Sequence, residues 1–362
     1  MRMNGRWSRR DMMKAFGLGV AGAAAASGLD LTSHASTTEM PPKYRNRGGR
    51  QLYQLPTEPS SAALIKGNDR SENIYKALKL IEDQVFSGIK DKQVLIKPNF
   101  VQTNNQLAAT HVDAIRGILE FLRPHYKKEI LIGEASGFST GGPTTAGFKN
   151  YGYEALVPKY KVKLVDMNLG SYEYRYALGA DYAPTPIRIC SPFLDPNIYL
   201  ISASVMKTHG YASVTLSLKN VLLGAPLNDY KTTNDKQLMH KGPHGEPNDI
   251  LHFNMFNLAQ HVYPDLSVND GFTGMEGDGA SRGTPADSRI AVASVDPLAA
   301  DVLSARLMGY DSTKILYLSS MTAAGMGQGD LAKIKVLGNR VEDCSYRFKN
   351  SPMLHFSAAL PS

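Results

Sequence analysis

An α/β fold, with a mostly parallel or mixed sheet and helices on both faces, is what this 362-residue sequence predicts. Two observations carry that prediction. Amphipathic helical runs and short β-branched runs take turns from about residue 70 onward. The composition, 43% hydrophobic and 20% charged, suits a chain with a sizeable core and excludes wholesale disorder. The first element is a helix over Ser71 to Phe86, whose apolar residues Ile74, Ala77, Leu78, Ile81 and Val85 share one helical face. A buried strand, Val94 to Ile96, follows. His111 to Leu122 is the next helix, Glu129 to Gly133 the next strand, and Gly152 to Tyr160 a short helix before a strand at Val162 to Val165. The rhythm returns with a strand at Asn197 to Val205, a helix around Asp249 to His261 and a strand at Leu266 to Asn269. Arg289 to Ser294 is a further strand, and Pro297 to Met308 a helix that opens on proline, a favoured first position. The body shows no repeat and no low-complexity tract.

Charge and cysteine content narrow the function. The net charge is +7, but residues 1 to 50 hold nine basic against three acidic groups. The remaining residues carry 31 basic and 30 acidic groups, so the body lacks the basic excess of a phosphate-backbone binder. Nucleic acid is therefore not an expected partner. Cys190 and Cys344 are the only cysteines, too few for a CxxC zinc site or a four-cysteine iron–sulfur cluster, and isolated thiols are the expected state.

The amino terminus reads Ser8-Arg9-Arg10-Asp11-Met12-Met13-Lys14 and continues into a mildly apolar Gly- and Ala-rich run, Ala15 to Leu29. This resembles a bacterial twin-arginine signal peptide. The run lacks the polar face of a surface helix and, at about 15 residues, falls short of the roughly 20 that a membrane span needs. Cleavage is expected after Ala26 or Ala35. No cysteine follows to carry a lipid, so no stable membrane anchor is expected. The resemblance implies the twin-arginine export machinery as a partner and a periplasmic or extracellular location. The expected organisation is a signal peptide over 1–35, a Ser-, Pro- and Gly-rich flexible linker over 36–61, an α/β domain over 62–338 and a C-terminal tail over 339–362.

Sheets of this kind bind ligands at the carboxyl ends of their strands. Lys97 and Asn99 follow the first strand and flank a stiffening proline. Lys207 and His209 follow a later strand, with Lys219 and Asn220 close behind. Such a cluster suits a carboxylate or phosphate, with the lysines neutralising it, Asn99, Lys219 and Asn220 binding it, and His209, Lys207 and Lys97 moving protons. Asp270, Glu276 and Asp278, spread among glycines, have the chemistry to ligate a divalent metal, although their spacing is not that of an EF-hand and by spacing alone an acidic surface turn is the favoured reading. The Gly-rich loop Ser136 to Thr145 has amides that suit a phosphate but not the order of a P-loop. His240, His244, His252 and Asp249 form the richest histidine neighbourhood, with Gly242 and Pro243 forbidding a helical ligand pair. No GxSxG elbow supports a serine triad.

Several segments occur together in one order: VLIKPN at Val94 to Asn99, Gly133-Glu134, MKTHG at Met206 to Gly210, TLSLKN at Thr215 to Asn220, Asp270-Gly271, MEGDG at Met275 to Gly279, and Asp296-Pro297. In these the chain resembles the family catalogued as domain of unknown function 362, over about residues 62 to 338. Some members of that family carry a ferredoxin-like cysteine segment. This chain lacks one, so no iron–sulfur cluster is expected. The expected function is binding of an anionic small molecule by an exported protein, with metal-assisted Lys/His/carboxylate acid–base chemistry if it is an enzyme. The alternatives are a non-catalytic accessory protein of an exported redox system, or an internal ion-pair network with no ligand.

Overall fold

The computed structural model describes residues 59–137, 141–231, 233–240 and 248–353. The twin-arginine segment and most of the linker lie outside the described residues. The elements run β1 (Ser60–Lys66), α1 (Arg70–Lys79), α2 (Glu82–Ile89), β2 (Gln93–Lys97), α3 (Val112–Leu122), β3 (Ile130–Glu134), α4 (Thr144–Asn150) and β4 (Val162–Asp166). They continue with a hairpin β5 (Tyr172–Leu178) and β6 (Pro184–Cys190), then β7 (Ile198–His209), β8 (Ser213–Thr215), α5 (Ser217–Leu222), α6 (Asp235–Leu238) and α7 (Asn248–Ala259). The last group is β9 (Leu266–Glu276), β10 (Thr284–Ala286), β11 (Ile290–Ser294), α8 (Pro297–Leu307), α9 (Leu316–Ala323), β12 (Ile334–Gly338) and α10 (Val341–Cys344).

The α/β prediction holds. The main sheet runs β12-β1-β11-β9-β7-β2-β3-β4, with β10 paired to β9 and β8 to β7. Five adjacent strands, β9, β7, β2, β3 and β4, are parallel to one another, and β11 is antiparallel to both its neighbours. Side-chain alternation along each strand sorts the core into two layers. Val94 and Ile96 face the helices α1, α2 and α3, together with Ile201, Ala203 and Val268. Leu95, Leu200 and Val292 point the other way, into a layer with α7, α8 and α9. Both faces are covered, as a mostly parallel sheet requires.

Three differences from the sequence reading bear on the site. The helix expected over Ser71 to Phe86 is two helices, with Ile81 between them at φ −124°. The apolar stripe is unaffected, since Ile74, Ala77, Leu78, Ile81, Val85 and Ile89 are all buried. The strand expected to end at Val205 instead runs to His209 and is buried throughout, so the MKTHG segment is strand and not loop. Its backbone is satisfied there by β8, which pairs Lys207 with Thr215 and His209 with Ser213, and by β9 across from Lys207. Likewise β9 runs on from Asn269 to Glu276 and is returned upon by β10. The strands β1, β5, β6 and β12 are also present where no strand was expected. The tail expected from residue 339 packs onto the body as far as it is described. Cys344 and Phe348 are buried, and the Gly277 amide donates to the Lys349 carbonyl at 2.9 Å.

Cys190 and Cys344 are both buried free thiols. No helix among the described residues is long and apolar enough to cross a membrane.

Candidate functional site

At the carboxyl end of β2 and β3, with the end of β7 as a third wall, lies a cavity of about 650 Å³. Lys97, Glu134, His209, Lys219, Lys236 and His240 all line it. Along this wall runs a continuous chain of polar contacts that crosses three neighbouring strands. Lys207 Nζ donates to Asn99 Oδ1 at 2.7 Å and to the Ala108 carbonyl at 2.9 Å. Asn99 Nδ2 donates to Asn220 Oδ1 at 3.0 Å, and the same oxygen accepts from Lys97 Nζ at 3.0 Å. Asn220 Nδ2 completes its own set with the Lys97 carbonyl and Ser202 Oγ. Lys97 Nζ is also held by Glu134 at 2.8 and 2.9 Å and by the Pro98 carbonyl at 2.7 Å.

Glu134 anchors this network. It is 1% exposed, and beyond Lys97 it accepts the amides of Phe100 at 3.0 Å and Ala135 at 2.8 Å. Burial lowers the Lys97 pKa, and attraction to Glu134 opposes that fall. Gly224 makes room for Lys97, since a Cβ there would lie 2.0 Å from Lys97 Cε and 2.5 Å from the Asn220 carbonyl oxygen. Only glycine fits. The start of α5, which carries Lys219 and Asn220, is held by Asp301 of α8, packed in the same layer, which accepts the Ser217 amide at 3.0 Å, the Leu218 amide at 2.9 Å and Asn269 Nδ2 at 3.0 Å. Burial raises the Asp301 carboxyl to about 7.

The remaining groups are not spent in this way. Lys219 is 7% exposed, lines the cavity, and has no hydrogen-bond or ion-pair partner among the described residues. Burial and then the Lys97 charge bring its pKa to about 7. Lys236 Nζ donates to the Gly224 carbonyl at 2.8 Å and to the Pro226 carbonyl, and burial lowers it to about 8. His209 Nδ1 accepts the amides of Tyr211 and Ala212, both at 3.1 Å, so its proton sits on Nε2. His240 is the reverse case, because its Nδ1 lies 2.7 Å from the Lys236 carbonyl and must be the donor, which leaves the Nε2 lone pair open. The two rings stack with centroids 6.4 Å apart. Burial first, then the Lys219 charge, pull His209 well below the usual imidazole range and His240 to about 4. Both rings are neutral at ordinary pH, one a hydrogen-bond donor and the other an acceptor.

The structure therefore divides the expected site. Lys97, Asn99, Lys207 and Asn220 do converge, but they are bonded to one another and to Glu134, and Lys207 does not line the cavity. Lys219 and His209 are the members left with unspent groups. The acidic trio does not assemble. Asp270 lies 3.1 Å from Arg70 Nε, Glu276 lies 3.0 Å from Lys349 Nζ and accepts its amide, and Asp278 lies 2.9 Å from Arg282 Nε. Each carboxylate has its own cation, because β9 continues as strand through Glu276 instead of folding round an ion. Among the described residues no three His, Cys, Asp or Glu side chains converge as metal ligands. The Gly-rich loop is not an open phosphate cradle at its described ends either. The Ser136 amide donates to Thr144 Oγ1, the Thr144 amide to Tyr230 Oη, and Tyr230 Oη lies 3.0 Å from both oxygens of Asp166. In the histidine neighbourhood, His252 is a packing residue, accepting the Tyr317 amide at 3.2 Å and stacking on that ring. His244 and the Asp249 side chain lie outside the described residues.

Residues 94–306, more than half of the chain, match the family model described as Domain of unknown function (DUF362). The chain belongs to this family. Every expected site residue falls inside the span matched to DUF362, as do Glu134, Lys236 and His240. Among curated proteins, the thylakoid-associated protein sll1697 of Synechocystis sp. is 22% identical over 236 residues, 65% of this chain and 68% of that protein. A solved structure of a Thermotoga maritima protein aligns at 17% identity with a TM-score of 0.38, over 61% of this chain and 55% of that one.

Sequence reasoning gave Lys236 and His240 no part in anion recognition. Lys236 sits on a four-residue helix and carried no periodic signal. His240 was grouped with neighbours in sequence, whereas its partner is His209, on the rim strand.

Proposed function

We propose that the cavity at the carboxyl rim of the sheet binds an anionic small molecule bearing a carboxylate or phosphate. The observation that carries this reading is Lys219, a buried amine at the cavity surface with no counter-charge among the described residues. Burying an ammonium group is costly unless something opposite in charge meets it, and of the carboxylates that line the cavity, Glu134 is already held by Lys97 and Asp278 by Arg282. An anion would supply what Lys219 lacks, with His209 Nε2–H as a neutral donor beside it and Lys236 adding positive field. Glu134 and the asparagines line the cavity and hold its wall in place.

Thermal unfolding in the presence of acetate, succinate or inorganic phosphate tests this reading. The wild type should be stabilised in a concentration-dependent way, and Lys219→Met should lose that response while remaining folded. The affinity for these anions should weaken from pH 6 to pH 8.5, as Lys219 gives up its proton near pH 7. Equal responses from wild type and variant would remove the proposal.

We also propose that the protein acts outside the cytoplasm, exported by the twin-arginine route. Support comes from Arg9-Arg10 and the weakly apolar run behind them. A reporter fused after residue 61 should be exported in a twin-arginine-competent bacterium, and Arg9→Lys with Arg10→Lys should hold it in the cytoplasm. Export that survives the paired substitution, or a wild-type fusion that stays inside, would overturn the assignment.

A further inference from the structure

The unspent groups of the cavity differ in kind from the saturated network beside them, and their chemistry goes further than holding an anion. Lys219 offers an amine that no group among the described residues ties down. His209 offers an N–H donor whose tautomer is locked by two backbone amides, and His240 offers a lone pair whose tautomer is locked by the Lys236 carbonyl. Lys97 is kept charged by Glu134 close enough to disfavour a second ammonium on Lys219. Amines placed in this way, desolvated and beside a fixed cation, act as nucleophiles toward carbonyl carbon.

We propose that Lys219 is a nucleophilic residue that condenses with the keto or aldehyde carbonyl of a small 2-oxo acid to form an imine in the cavity. The proposal rests on the anion-binding reading for the ligand's carboxylate, which the Lys236 side of the cavity would hold while Lys219 meets the carbonyl.

The step balances without any further reagent. The neutral Lys219 Nζ lone pair forms a bond to the carbonyl carbon, and the π pair moves onto oxygen, where His209 Nε2–H donates a hydrogen bond to the developing charge. The proton released from nitrogen passes through the open Nε2 of His240 to that oxygen, giving the carbinolamine. Loss of this oxygen as water leaves the C=N bond, so amine and carbonyl become imine and one water. Lys219 attacks as the neutral amine, which with a pKa of about 7 makes up about half of the population at pH 7 and most of it above pH 8.

The probe is pyruvate with cyanoborohydride, which delivers hydride to the imine carbon and fixes it as a secondary amine. Intact-protein mass and peptide mapping locate the adduct. The full chain without its first 35 residues, Lys219→Arg and Lys219→Met are compared, with acetate binding measured on each. The expected result is one reduced adduct per wild-type chain at Lys219, rising with pH through about 7. Lys219→Arg should give none while still binding acetate. Acetate binding without trapping, or an adduct spread over surface lysines, overturns the imine and leaves the anion reading standing. An adduct at Lys219 without acetate binding does the opposite, and absence of both removes both.

Discussion

Glu134→Ala lowers the unfolding free energy by about 3–5 kcal/mol, the cost of breaking a buried ion pair from one side. The substitution strands Lys97, which is 1% exposed and has no other carboxylate partner among the described residues, and it also strips the amides of Phe100 and Ala135 of their acceptor. The Phe100 amide fixes the turn out of β2 and the Ala135 amide the exit from β3, so the loss extends to Asn99 and through it to Lys207. Removing both charges together should cost less than removing one. Lys97→Met combined with Glu134→Leu leaves no stranded charge, and urea unfolding should place the double variant above Glu134→Ala in stability. The pair would have no special standing if Glu134→Ala cost less than about 1 kcal/mol, the level of an exposed ion pair.

Lys219→Met works in the opposite direction and stabilises the protein. The folded-state pKa of Lys219 is lowered from 10.5 to about 7 by burial. Below about pH 7 the amine is charged in both folded and unfolded chains, and the folded protein carries the full cost of a desolvated ammonium. Between pH 7 and 10.5 the unfolded chain binds a proton that the folded one does not, so this residue's contribution to stability rises with pH. Above 10.5 both are neutral and the penalty is gone. The gain from Lys219→Met should therefore be largest at pH 7 and below, on the order of 3–5 kcal/mol, and should shrink steadily toward pH 10.5. Unfolding of both proteins at pH 6, 8 and 10 measures it. A gain that is flat across this range, or a loss, would mean that Lys219 is not the strained amine the geometry describes. A residue that destabilises its own fold yet points into a cavity is the pattern expected of a functional group.

Some of this is legible in the sequence alone. Alternating helix and strand patterns identify the fold class because a helix period and a strand period bury different sets of residues, and Val94 to Ile96, Val112 to Leu122 and Pro297 to Leu307 read correctly on that ground alone. The clustering of Lys97, Asn99, Lys207, Lys219 and Asn220 was legible too, because parallel strands bring their carboxyl ends to one rim. Where the strands end was not. Lys207 and His209 look like loop residues by type, and only pairing with β8 and β9 makes a buried strand of them.

The sequence by itself determined the α/β class, the rim on which the candidate site lies and the residue types gathered there. Local periodicity and the rules of parallel connection suffice for that much. Tertiary structure alone decided which of those polar groups are spent and which are not. A lysine reads the same in sequence whether a carboxylate meets it, as at Lys97, or no group among the described residues does, as at Lys219. The difference lies in donor and acceptor geometry across β2, β3, β7 and α5, brought together from positions up to 123 residues apart.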